Sequence, residues 1–434
     1  MNRSDPNRYE RLDSLSDIDP DSLPFGTPAN YSFRYIDISS VSGGRLIAPE
    51  EKINYKDAPN RARRKIRNGD VLMSTVRPNL KAFAYCELPD DDFVASTGFA
   101  LIRPKLQSDG LYILQCLLSS PVLRQIDSLT VGSNYPAINN SDVKRLLIPK
   151  LEPCIRKKIG AVFRIFDRAI ERTEALVHKY QQIKAGLMHD LFSRGLAADG
   201  KLRPPREQAP ELYRETPIGW IPKEWDWGPL STYINGSPKN GYSPSEIDAW
   251  DGCASLGLGC LTHFGFRAIQ LKIIAKRTAL SSGALLKDGD FLVSRANTPQ
   301  LVGLCGVYKD IGCPCIYPDL MMRIQPNAFV HSKYLEQYLL SAGVRIRLTA
   351  MAVGTSMSMV KLNSKSIMSF AIAVPPIEEQ ERIFHRSDAI DRHLKMLTND
   401  LAKLRQGKAG LMHDLLTGTV EVKTDPAEAA TISQ

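Results

Sequence analysis

Lys184–Leu191 reads Lys-Ala-Gly-Leu-Met-His-Asp-Leu, and Lys408–Leu415 repeats the same eight residues in the same order. Identity over eight residues at this distance marks a chain written twice, and internal repetition takes precedence over local propensity in reading a fold. At the offset that carries Lys184 onto Lys408, Ile148 falls on Ile372, Ile159 on Ile383, and Asp167-Arg168 on Asp391-Arg392. Further upstream the offset drifts by a few residues. There Gly69-Asp70-Val71-Leu72-Met73-Ser74 matches Gly289-Asp290-Phe291-Leu292-Val293-Ser294. Arg103-Pro104 matches Gln325-Pro326, Tyr112–Ser119 matches Tyr334–Ser341, and Gly132-Ser133 matches Gly354-Thr355. Each half is a variable globular part followed by a well-matched segment. The period is far too long for a solenoid of small repeats.

The matched segments carry a helical pattern from Ile155 to Leu191 and from Ile377 to Leu415. In the second, Ile383, Ile390, Leu397, Leu404 and Leu411 recur every seventh residue, with Ser387, Leu394, Leu401, Lys408 and Leu415 as the companion seam. In the first, the seams are Ile159, Phe166, Thr173, Tyr180, Leu187 and Phe163, Ile170, Val177, Lys184, Leu191. A sustained heptad stripe predicts a left-handed coiled coil. Pro375-Pro376 stands just ahead of the second helix, where proline is tolerated, and Gly195 and Gly418 suit the two stops. Five heptads span about 50 Å at ~1.5 Å per residue. The simplest arrangement pairs the helices antiparallel about a pseudo-two-fold axis, with the globular parts at opposite ends. Lys184 and Lys408 interrupt the seam at matching places; near a helix end they are expected to snorkel to solvent, the alternative being a polar contact that fixes register. His189-Asp190 and His413-Asp414 are neighbours on a helix and point apart, so neither is a catalytic dyad. They are expected at the surface or in caps.

The chain of 434 residues is long enough for two or three domains, and its 43% hydrophobic and 24% charged content is that of an ordinary globular protein. No apolar run approaches the ~20 residues that span a bilayer, and Met1–Asp21 is too polar for a signal peptide. A cytoplasmic location is expected. The eight cysteines form no CxxC pair and are expected to be free thiols; Cys260, His263, Cys313 and Cys315 lack the spacing of a zinc site. The net charge of +9 favours a polyanionic partner, and Arg61, Arg63, Arg64, Lys65 and Arg67 are packed into one short stretch.

Short strand-like runs in the first globular part, Phe33–Ile38, Asp70–Thr75, Phe99–Arg103 and Leu146–Pro149, surround one helical stretch, Leu111–Ile126. The second part reads alike, with strands near Asp290–Ser294, Met321–Ile324 and Phe370–Val374 and a helix around Ser332–Ile346. This is an α+β pattern. The domains expected are a first globular domain (1–152), a long helix (153–195), a Pro-containing linker (196–217), a second globular domain (218–374), a second long helix (375–418) and a flexible tail (419–434). Chemistry is absent: there is no GxxxxGK[ST] loop, and Gly257-Leu258-Gly259 lacks the third glycine of a dinucleotide fingerprint. Asn134-Tyr135-Pro136 has the letters of an amino-methyltransferase motif in the wrong order. Glu50-Glu51-Lys52 carries a Glu-x-Lys step too common to signal a nuclease.

The order of these features resembles the specificity subunit of type I restriction–modification enzymes. The residues that carry the resemblance are the two Gly-Asp turns, Ile36-Asp37-Ile38, and Ile218-Gly219-Trp220-Ile221-Pro222 with Trp225. To these are added Pro375-Pro376-Ile377-Glu378-Glu379-Gln380-Glu381-Arg382-Ile383 and the Gly-Leu-Met-His-Asp-Leu-Leu-Thr-Gly that ends at Gly418. The likeness covers essentially the whole chain. It departs at Leu151-Glu152-Pro153-Cys154-Ile155-Arg156, so the first helix is expected to start on different packing.

The resemblance implies two target-recognition domains of similar fold, separated by two long antiparallel coiled-coil helices. Each domain would read one half of a split, asymmetric double-stranded DNA site. The helices would set the spacing, suited to half-sites roughly 34–36 Å or somewhat more apart, and would dock two modification subunits. Those subunits would bring S-adenosylmethionine, and restriction subunits would bring ATP and Mg; this chain would hold no cofactor or metal and catalyse nothing. Base readout needs planar or bidentate side chains on loops, with basic residues on phosphates. That points to Arg77, Asn79, Ser133, Asn134 and Tyr135 in the first domain, and to Arg295, Asn297, Thr298, Thr355 and Ser356 in the second. Phosphate candidates are Arg61, Arg63, Arg64, Lys81, Lys276 and Arg277. The alternatives are the specificity region of a fused methyltransferase-nuclease and a coiled-coil interaction scaffold.

Overall fold

The computed structural model of the protein describes residues 8–356 and 359–422; the side chains of Ser42, Thr355 and Ser356, and the end of the expected tail from 423 on, lie outside the described residues. The chain forms two compact units. The first joins Met1–Ala175 to Thr398–Gln434, and the second is Leu176–Leu397. Both are α+β, and each is built partly from both long helices, Pro153–Ser193 and Ile377–Thr417.

In the first unit a four-stranded antiparallel sheet runs in the order Ser16–Ile18, Phe99–Pro104, Val71–Ser74, Phe83–Tyr85. A second sheet, ordered Ile53–Asn54, Ser32–Ile36, Phe93–Ser96, Ala62–Lys65, contains one parallel pairing, between Ser32–Ile36 and Phe93–Ser96. The strands Val71–Ser74 and Phe93–Ser96 are buried at every position, as strands covered on both faces must be. Tyr112, Ile113, Phe83 and Phe163 close the main core, which Leu415 and Leu416 of the second long helix complete.

The second unit repeats this plan by itself. Its antiparallel sheet is Lys239–Asn240, Met321–Ile324, Phe291–Ser294, Cys305–Val307, and its smaller sheet is Leu271–Ile273, Ala254–Leu256, Cys315–Ile316, again with one parallel pairing. Its core gathers Trp225, Phe291, Tyr334 and Ile383, and takes Leu191 from the first long helix.

The Gly-Asp turns serve these sheets. Asp70 accepts from Arg67 N (2.8 Å) and from Arg103 Nε and Nη2 (3.0 and 2.8 Å), pinning the turn across to the neighbouring strand. Asp290 accepts from Lys287 N (2.9 Å) and Arg323 Nη1 (3.0 Å) in the same manner.

Each expected domain helix proves to be two. Gly110–Leu118 is followed by Ser120–Leu129, and Ser332–Leu340 by Ala342–Ala350. The break is the same serine both times. Ser119 and Ser341 are extended (ψ 146), and their hydroxyls donate back to Cys116 O (2.6 Å) and Tyr338 O (2.7 Å), closing the first helix. The apolar period runs on through the break, so the sequence pattern hides it.

The heptad seams are buried or half-buried at all twenty positions named above. Within each unit the helix segments run antiparallel, and here the lysines correct the expectation. Lys408 Nζ lies 2.6 Å from Asp167 Oδ1 in the first unit, and Lys184 is bonded to Asp391 in the second. Neither snorkels to water. The two pairs are copies of one another across the repeat, and each fixes register by a charge-assisted contact. Gln115 donates to the other oxygen of Asp167 (3.0 Å), tying the first unit's domain helix to the long helix.

The stretch expected as a linker, 196–217, is ordered and anchored. Leu196, Arg203, Ala209 and Tyr213 are buried, and Arg203 places its guanidinium on Glu379 (2.6 and 2.9 Å) at the start of the second long helix. Gly195, with φ 64, lets this pair approach; a Cβ there would sit 2.1 Å from Glu379 Oε1. The first long helix starts differently: Arg156 makes a buried bidentate pair with Asp109 (3.0 and 2.8 Å). At the matching place Gln380 donates to Pro375 O and Phe329 O and accepts from His331 N. Among the described residues no helix is long and apolar enough to cross a membrane, all eight cysteines are free, and no group of three or more His, Cys, Asp or Glu side chains could hold a metal ion.

Candidate nucleic-acid interface

In the first unit the two separate stretches read as candidate loops come together. Arg77 N donates to Pro136 O (2.7 Å), Ile138 N donates to Thr75 O (2.9 Å), and Val131 and Ala137 exchange both backbone bonds. The main chain therefore holds the loops 75–81 and 131–137 side by side, leaving the side chains outward. Arg77, Asn79, Lys81, Ser133, Asn134 and Tyr135 are all exposed. The Arg77 guanidinium lies 5.2 Å from the centre of the Tyr135 ring, a cation–π contact at a surface. Thr75 N bonds to Gly98 O, and Thr97 N to Arg61 O, so exposed Arg61 is linked to the same edge through one turn.

The rest of the basic run is less available. Arg63 lies over the Tyr55 ring at 5.0 Å. Arg64 is taken by Asp19 at 2.7 Å. Burial pushes the Asp19 carboxyl above its usual range, against the pull of the Leu101 amide and Arg64. Arg64 is thus a structural cation rather than a free phosphate ligand, because its strand lies against the N-terminal segment.

In the second unit Ala296–Asn297 pairs with Met359–Lys361, which pairs in turn with Val353–Ser356. This three-stranded sheet again joins the two candidate loops. Asn297 and Thr298 are half-buried, and so is Arg295, which donates to Asp319 O (3.3 Å) while its Nε is buried without a partner. Thr355 and Ser356 occupy the strand Val353–Ser356, but their side chains lie outside the described residues. Lys276 and Arg277 are exposed at the start of the short helix Lys276–Ser281, beside a bond from Lys276 N to Asp251 (2.7 Å).

Some residues of these edges escaped the sequence reading. Val131 and Val353 precede the repeated Gly132 and Gly354 and are 74% and 72% exposed; Leu80 and the basic pair Lys144-Arg145 are exposed as well. The signal available was position: each adjoins a loop already singled out for its polar residues.

His189 and Asp190 form no catalytic pair. His189 is exposed, Asp190 bonds to Arg194 (3.3 Å), and both line a hollow of about 310 Å³ with Arg206, Tyr213 and Trp220. Of the octapeptide, Ala185, Gly186 and His189 are exposed, and so are Ala409, Gly410 and His413.

Each α+β unit thus presents a pair of adjoining loops over segments of the two long helices, and the loops of the two units carry different residues. Comparison with known proteins shows what the chain resembles. The family described as Type I restriction modification DNA specificity domain matches residues 266–406. The MjaVIII type I restriction enzyme specificity subunit of Methanocaldococcus jannaschii is 23% identical over 340 residues, covering 76% of this chain and 75% of the relative. The EcoKI specificity subunit of Escherichia coli is 23% identical over 314 residues, covering 70% and 64%. Among solved structures, the type I S subunit from M. genitalium has the same fold, with a TM-score of 0.55 at 14% identity over 97% of this chain and 99% of that one. A chain from a structural study of type I R-M complex assembly and conformational transition matches with a TM-score of 0.53 at 21% identity over 94% and 97%. Over most of its length the chain is similar to specificity subunits of type I restriction–modification systems, and residues 266–406 match their DNA specificity domain.

Proposed function

We propose that this chain is the non-catalytic sequence-reading subunit of a type I restriction–modification complex. Each unit reads one half of a split, asymmetric double-stranded DNA target, and the helices dock two modification subunits. The observation that carries the reading is the contrast between frame and loops. The frame repeats its heptad pattern, its octapeptide and the pairs Lys184–Asp391 and Lys408–Asp167. The loops at matching places differ: Arg77, Asn79 and Tyr135 in one unit, Arg295, Asn297 and Thr298 in the other. One frame with two unlike readers suits a target whose halves differ.

Docking is supported by the octapeptide. Ala185, Gly186 and His189 pack against little, and neither Gly186 nor Gly410 has any atom within 4 Å of where a Cβ would lie. Glycine inside an exposed helix costs about 1 kcal/mol relative to alanine. Keeping it twice, on identical exposed faces, fits two copies of one partner. S-adenosylmethionine then belongs to the modification subunits, ATP and Mg to restriction subunits, and the assembly to the cytoplasm.

The test is to express the chain with its modification subunits and sequence the methylated bases of the host genome. A split motif is expected, and scrambling either half should abolish selective binding. Methylation without sequence preference, or a motif read entirely by one unit, refutes the reading.

A further inference from the structure

Among the described residues three non-glycine side chains sit at positive φ, and two of them bracket one loop: Arg77 (φ 49) and Lys81 (φ 55), on either side of the turn Pro78–Leu80. Both are basic and both are exposed. A side chain in the left-handed region crowds its own backbone and persists only where something else requires it. The turn holds this backbone, with Lys81 N bonded to Pro78 O (2.9 Å) and Phe83 N to Lys81 O (2.8 Å), but Lys81 has no side-chain hydrogen bond or ion pair among the described residues, so the turn does not call for a lysine there.

The second unit supplies an internal control. Met73 pairs with Phe83 and Val293 with Cys305, which places Gly303 where the first unit has Lys81. Gly303 has φ 72, so a glycine performs the same backbone task without strain. A Cβ at Gly303 would lie 2.8 Å from Leu348 Cδ2 and 3.0 Å from Arg345 Nη1, so a side chain there would have to displace those groups. Beyond Arg295, which donates to Asp319 O (3.3 Å), residues 296–303 carry no charge. That loop is instead fixed from beneath by Arg345, which is buried and donates to Val302 O (2.6 Å) and Gln300 O (3.1 Å).

We propose that the Arg77–Lys81 loop is a phosphate clamp, and that the two units divide the labour of binding DNA. The first supplies electrostatic anchoring through two cations held in a strained turn. The second reads its half-site through a loop that is uncharged beyond Arg295 and is set in advance by Arg345. Lys81 is exposed at one end of the turn, and stacking on Tyr135 holds the Arg77 guanidinium at the other. The inference rests on the DNA-reading role proposed above.

The test uses the full chain assembled with its modification subunits, on duplexes carrying both half-sites or either one scrambled, over a range of salt. The wild type should show a steeper salt dependence on the duplex that keeps the first unit's half-site. Lys81→Gly removes both charge and strain. It should lower the slope of log affinity against log salt by about 0.9, shrinking the affinity lost between about 50 and 200 mM salt about 3.5-fold. It should keep the sequence preference and melt at or above the wild type. Lys81→Arg should keep the wild-type slope. An unchanged slope in Lys81→Gly, with the wild type binding its target, overturns the clamp, and a lower melting temperature overturns the strain argument. Equal slopes on the two half-sites overturn the division of labour. A wild-type complex without selective DNA binding would count instead against the recognition role itself.

Discussion

Replacing Glu379 with alanine should destabilise the second unit by about 3–5 kcal/mol, the cost of breaking a buried ion pair from one side. Glu379 is 1% exposed and accepts four hydrogen bonds: two from Arg203 (2.6 and 2.9 Å), one from Trp225 Nε1 (3.0 Å) and one from Leu196 N (2.8 Å). Alanine orphans two buried donors and leaves Arg203 with the Arg194 carbonyl (3.1 Å) and, as its one remaining counter-charge, Glu224, whose side chain is 70% exposed. A loss of this size is a large share of the ~5–15 kcal/mol that holds a domain together. Tryptophan fluorescence reads the effect selectively, because Trp220, Trp225, Trp227 and Trp250 all belong to this unit. With a urea dependence of about 2–3 kcal/mol per molar, the midpoint should fall by roughly 1–2 M. Glu379→Gln, which keeps the shape and one acceptor, should lose about 2 kcal/mol. Arg203→Met combined with Glu379→Met removes both charges and should recover much of the loss. A midpoint for Glu379→Ala within about 0.3 M of the wild type would show that the pair contributes little and that the reasoning is wrong.

Arg77→Ala or Tyr135→Ala should weaken binding by about 1–3 kcal/mol at one half-site alone, seen by titrating half-scrambled duplexes; equal weakening at both halves would contradict independent readers. A double-mutant cycle on Lys408 and Asp167 should give a coupling of about 1 kcal/mol in thermal or urea unfolding, and additive single changes would show that the pair does not set register. His331 caps the helix Ser332–Leu340 through Nδ1, which accepts from Tyr334 N (3.4 Å) and must be neutral to do so. Burial holds its pKa below the ordinary 6.5. Its contribution is therefore complete above about pH 6.5 and is lost as pH falls through the lower folded value. The second unit should lose about 1 kcal/mol on acidification, and His331→Asn, a good cap at any pH, should flatten that part of the profile. A wild-type profile identical to that of the asparagine variant would remove the histidine from the account.

The sequence made the frame legible because a heptad stripe repeats within each helix and each helix repeats within the chain. It left the lysines ambiguous. Lys184 and Lys408 had partners in plain sight at Asp391 and Asp167, but finding them required the direction in which the helices pass. The two pairs have the same index sum, as an antiparallel register demands. The candidate loops of the first domain were identified from polar residues next to turns, a local signal. What remained hidden was long-range. Asp19 neutralises Arg64 from far along the chain, Arg345 reaches under the 298–302 loop, and Arg203 crosses to Glu379. The strain at Arg77 and Lys81 was hidden for another reason, since left-handed backbone is normally advertised by glycine and here is not.

The candidate loops of the first unit are held by main-chain bonds, from Arg77 N to Pro136 O and from Ile138 N to Thr75 O, whereas the frame is held by side chains. Backbone bonds do not depend on which residue supplies them. The loop side chains can therefore be exchanged over generations without unfolding the unit that carries them, while the frame residues cannot. A lineage of such chains can alter the surface its loops present, one unit at a time, and inherit the rest unchanged.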